Sequence, residues 1–69
     1  MSSYEKFLED VDLCLMSKLG LTSSSISDAP WYDYFEDELE TEAACAYALH
    51  DYNDVDFSVL ETIGLADYI

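Results

Sequence analysis

Sixty-nine residues make a single domain close to the lower size limit for a self-supporting core, yet 51% of them are hydrophobic, with one Trp, six Tyr and three Phe, which excludes a disordered acidic tail. Sixteen Asp and Glu stand against two lysines, Lys6 and Lys18, for a formal net charge of -14. Such a surface repels nucleic acid and anionic lipid, so direct binding to DNA, RNA or a membrane is excluded as an expectation, and the thin stability margin makes homodimerisation a possibility.

In chain order, Ser2 with Glu5 fits a capping box, and Gly20 is placed to follow the end of the helix it starts. Between them Tyr4, Phe7, Leu8, Val11, Leu15 and Leu19 recur at helical spacing as one apolar stripe, with Lys6, Glu9, Asp10 and Ser17 opposite. Leu13 and Met16 fall on or near the polar side; packing under a later helix is the favoured reading, and contact with a partner is the other. The segment 20–30, GLTSSSISDAP, reads as a loop with Leu21 and Ile26 turned into the core and room for a short helical turn after Thr22. Asp28 as N-cap, with Pro30 in the first turn, predicts the start of a second helix.

On that second helix, at 100° per residue, Trp31, Tyr32, Phe35 and Leu39 share one side with Tyr34 at its margin. Asp33, Glu36, Asp37 and Glu40 share the other, at i, i+3, i+4 and i+7. The expectation is a straight ridge of four carboxylates about 10 Å long, comparable in spacing with the phosphates of one DNA strand, about 3.4 Å apart. Glu38 and Glu42 add to the same acidic segment.

Thr41 either caps a third helix or lies inside a continuous one; both stay open on sequence alone. The segment 41–52, TEAACAYALHDY, is small and apolar almost all round and predicts the buried central helix. Asp56 as cap and Gly64 as stop frame a short helix to Ile63, preferred over a strand because a lone strand would have nothing to pair with. The fold class expected is therefore all-α, a single-domain bundle of three to four helices over residues 1–69.

Catalytic chemistry is hard to assemble from these residues. His50, the single histidine, is five positions after Cys45, a spacing that does not put a base beside the thiol on one helical face. With no Arg, nothing is positioned to hold a phosphate or an oxyanion. Cys14 and Cys45 match no metal or redox spacing and read as buried free thiols, with a disulfide as the minority reading. Residues 51–62 begin like a calcium loop at Asp51 and Asn53, but Val55, Asp56 and Thr62 stand where an oxygen ligand, a glycine and a bidentate glutamate are needed. The expectation is no enzyme, no cofactor and no metal. The N-terminal residues carry no basic and apolar leader pattern and no run is long enough to span a membrane, which points to the cytoplasm.

The order FLEDVD, then GLTSSSISD, then WYDYFEDELETEAACAYAL, over roughly residues 4 to 49, resembles short acidic proteins of phages and mobile elements, most without an assigned function. The serine run 23–25 and the hydrophobic tail depart from that pattern. In size and charge the chain is similar to phage inhibitors of host defence, including anti-CRISPR and anti-restriction DNA mimics. That resemblance implies a helical protein of the host cytoplasm whose partner is a basic nucleic-acid-binding protein, a CRISPR effector or nuclease subunit. Asp33, Glu36, Asp37, Glu38, Glu40 and Glu42 would supply the carboxylates, and Tyr32, Tyr34, Leu13 and Met16 the apolar anchors. The alternative expectation is a small regulatory or antitoxin-like adaptor that binds through an apolar face.

Overall fold

Ser3 begins the first helix: its backbone is extended (φ -106°, ψ 162°) and its Oγ accepts the Lys6 N–H at 3.1 Å, satisfying one of the amides a helix start leaves free. The structure, a computed structural model, describes residues 3 to 69, so the cap expected at Ser2 lies outside the described residues. Helix α1 runs Tyr4–Leu19 and buries Phe7, Val11 and Leu15, successive rungs of the predicted stripe. Gly20 then takes the left-handed conformation (φ 69°) and turns its N–H back to the Met16 carbonyl at 3.0 Å.

A 3₁₀ turn, Ser23–Ile26, follows Thr22 as expected, and buries Ile26. It is fastened to α1 by a bond the sequence does not advertise, the Ser23 N–H to Asp12 Oδ1 at 2.7 Å. Helix α2 is Trp31–Glu36, and its start differs from expectation, because Asp28 does not cap it. Pro30 (φ -81°, ψ 68°) instead centres an inverse γ-turn closed by the Trp31 N–H on the Ala29 carbonyl at 2.9 Å, which places proline before the helix rather than in its first turn.

The larger correction concerns the end of α2. The helix does not reach Glu40, so Asp33, Glu36, Asp37 and Glu40 do not form a straight ridge on one helical face. Glu38 sits in the left-handed region (φ 56°); its N–H returns to Phe35 O at 3.1 Å and the Leu39 N–H to Tyr34 O at 3.2 Å. Those two bonds are a Schellman stop, built here without glycine. Helix α3, Thr41–Tyr52, starts afresh after Glu40, which settles the choice between continuous and separate helices.

Helix α3 is the central helix. Ala43, Ala44, Cys45, Ala46, Ala48 and Leu49 are all buried, and small side chains let α1 lie close along it. Its end turns on Asp54, again left-handed (φ 51°), before Asp56 introduces α4, Phe57–Thr62. Gly64 (φ 82°) stops α4 with a second Schellman pair, Gly64 N–H to Glu61 O and Leu65 N–H to Leu60 O at 2.8 Å. A last 3₁₀ turn, Ala66–Tyr68, returns to α3, where the Tyr68 hydroxyl donates to Glu42 Oε2 at 3.0 Å. The result is an all-α bundle of four helices with no strand among the described residues, 34 × 21 × 20 Å in extent.

One core serves all four helices: Phe7, Val11 and Leu15 meet Ile26, Trp31, Leu49, Leu60 and Leu65 around the alanines of α3. Trp31 satisfies its indole N–H on the Ile26 carbonyl at 3.0 Å. No polar or charged residue is buried among those described, so every carboxylate there stays at the surface. Among the described residues no helix is long and apolar enough to cross a membrane.

Candidate partner-binding surface

The acidic segment bends around the α2–α3 turn rather than following one axis. Asp33 and Glu36 stand on α2, Asp37 and Glu38 form its stop, Glu40 precedes α3 and Glu42 lies in its first turn; all six are exposed. Local chemistry explains the bend. Left-handed Glu38 reverses the chain, and two short helical ends then bring their acids to one corner of the molecule. Glu42 meets the positive end of the α3 dipole and accepts from Tyr68, which raises the Tyr68 phenol above its ordinary range.

Cations are scarce at this corner. Lys6 Nζ pairs with Asp10 at 3.1 Å, one turn along α1, and that hydrogen bond raises the Lys6 ammonium further. No other lysine ion pair occurs among the described residues; His50 lies 2.9 Å from Asp51. The acids Asp33, Glu36, Asp37, Glu38 and Glu40 therefore face solvent without a cationic side chain from this chain.

Beside them an aromatic cluster joins α1 to α2. Tyr4 meets Tyr32 edge-on at 5.1 Å, Phe35 stands 5.5 Å from Tyr4 and 5.7 Å from Phe7, and Tyr32 is 6.0 Å from Phe35. An open groove of about 620 Å³ runs between this cluster and the α2–α3 turn, with Glu36, Glu38 and Glu40 along one wall and Lys6 and Asp10 along the other.

The four expected apolar anchors separate. Tyr32, read from sequence as a core-side residue, is 53% exposed and forms part of the groove. Tyr34 is turned the other way, edge-on to Trp31 at 5.7 Å and 6.3 Å from Tyr47; burial, with Tyr52 and Asp51 nearby, pushes its phenol up to about 12. Leu13 and Met16 do not pack under a later helix. They are 69% and 54% exposed, one turn apart on the outer face of α1, because α3 approaches the opposite side through Val11 and Leu15. They border a shallow hollow with Glu9 and Asp12, which meets the groove at the acidic corner only through Lys6.

Cys14 and Cys45 are free. Cys45 is buried on α3 with its Sγ 3.9 Å from the Val11 carbonyl. Burial first, then the neighbouring Cys14 thiol, raises its pKa and keeps it protonated. Among the described residues no group of His, Cys, Asp and Glu is gathered as metal ligands are. No family model matches the chain, and neither a curated protein nor a solved structure gives a match.

Proposed function

We propose that this protein is an inhibitor that occupies the basic nucleic-acid channel of a host-defence complex, a CRISPR effector or nuclease subunit, by presenting carboxylates where phosphates would lie. The observation that carries the reading is the corner formed by Asp33, Glu36, Asp37, Glu38, Glu40 and Glu42, six exposed acids on a chain whose lysines number two. Carboxylates accept from Lys and Arg much as phosphates do, and long-range attraction speeds encounter. Exposed ion pairs contribute little each, so Tyr32 supplies the apolar part of the contact.

The test is a pull-down from a bacterial lysate containing defence complexes, with the wild-type chain and a variant in which Asp33 and Asp37 become Asn and Glu36 and Glu40 become Gln. A basic effector or nuclease subunit held by the wild type, released by duplex DNA or high salt and lost by the variant, supports the proposal. Full retention by the variant at low salt sinks it.

A second reading is favoured by Leu13 and Met16, an exposed apolar pair on α1 apart from the six acids of the α2–α3 corner. An adaptor that docks through them would keep its partner in the charge variant, resist displacement by DNA, and lose it when Leu13 and Met16 become Ser and Gln.

A further inference from the structure

We infer that the groove between α1 and the α2–α3 turn receives an arginine side chain of the basic partner, in preference to lysine; this rests on the inhibitor reading and gives it a point of specificity. Acids alone would attract any cation. The groove adds a shape and a floor. Phe7 and Phe35 line its base, Tyr32 stands half in solvent at its side, and its volume of about 620 Å³ leaves room for a long side chain to lie along the rings. The rings are already fixed against one another, Tyr32 by Tyr4 and Phe35 by Phe7, so little ordering remains when a guest arrives.

Charge complementarity selects the guest. Glu36, Glu38 and Glu40 stand along one wall with no lysine bound to them, whereas Asp10 opposite is already held by Lys6. The unpaired charge therefore lies along the α2–α3 wall of the groove, which also carries Tyr32 and Phe35. A flat guanidinium can stack on Tyr32 or Phe35 and donate in its own plane to two carboxylate oxygens at once. A lysine ammonium is compact and strongly hydrated, and it gains less from a ring face. A peptide carrying negative charge would be repelled by the wall, and a purely apolar segment would leave three carboxylates to be desolvated against it.

Amide chemical shifts of the full chain, titrated at physiological salt with two hexapeptides that alternate glycine with arginine or with lysine, test this. The arginine peptide is expected to bind about fivefold more tightly than the lysine peptide. Its shifts should centre on Phe7, Tyr32, Phe35 and Glu38. Tyr32→Leu, at a position half open to solvent, should bring the two peptides to equal affinity while circular dichroism stays unchanged. Equal affinities for the wild type, shifts scattered over all the acids, or an unchanged preference in Tyr32→Leu would each overturn the proposal. The two readings fail separately. An arginine preference in the groove with no basic protein retained from lysate would end the inhibitor reading alone. A DNA-displaceable partner indifferent to Tyr32→Leu would end the groove proposal alone.

Discussion

Glu38 holds a backbone conformation that an L side chain adopts at a cost of about 1–2 kcal/mol. Gly20 and Gly64 do the same work at the ends of α1 and α4 with no Cβ to strain, and both stops were readable because glycine after an apolar stripe is a strong signal. Asp54 is of a residue type that tolerates the left-handed region, but nothing about Glu38 announces one, which is why a helix continuing to Glu40 fits the sequence and not the structure. Glu38→Gly is expected to stabilise the fold by about 1 kcal/mol, raising Tm by about 4–8 °C. Glu38→Gln, which removes the charge and keeps the strain, should recover little of that gain. Thermal melts of the two variants side by side separate strain from repulsion. Ser3 caps α1 through its Oγ, a role any serine at that position can fill.

At the scale of elements, periodicity was sufficient wherever a helix has one buried face and a glycine at its end. Helix α1 and helix α4 follow their predicted stretches closely, Asp56 and Gly64 included. Helix α3 was legible for the opposite reason: apolar all round means buried all round. Its alanines set the depth of the core, so the molecule has little slack there. Leu49→Ala should cost about 2–5 kcal/mol, against a total stability of about 3–10 kcal/mol for a chain this long. Ala46→Leu, which forces added bulk into a site with no exposed surface, should cost about 1–3 kcal/mol or more. Urea midpoints for both variants check the two figures. The outer face of α1 was less legible. Leu13 and Met16 look like core residues by type, and only the choice of which side of α1 meets α3 leaves them in solvent.

Across the whole molecule the dominant fact is like charge at short range. All the described carboxylates remain at the surface of a body whose short dimensions are 21 and 20 Å, only about two screening lengths at moderate salt. Composition sets the net charge of -14; where that charge concentrates depends on the turn at Glu38, which composition does not encode. Raising sodium chloride from low to physiological and then to high concentration should raise Tm steadily. Lowering pH toward the pI of about 4.1 should raise it too, until solubility fails. Flat melting curves across that salt range would mean that repulsion takes little from the folded state. Of the candidate site, the acids and Tyr32 lie together, whereas Tyr34, Leu13 and Met16 lie elsewhere and the groove's Phe7 and Phe35 were not singled out, because its aromatic floor requires α1 and α2 to meet.

Trp31 has a practical consequence. It is the single tryptophan, buried at the start of α2, hydrogen-bonded to Ile26 and lying edge-on to Tyr34. The chain therefore carries one built-in optical gauge where the 20–30 segment meets the acidic corner. Unfolding that exposes this indole to water is expected to redden its emission. A partner that grips the corner and stiffens it can be followed in real time on the unlabelled protein.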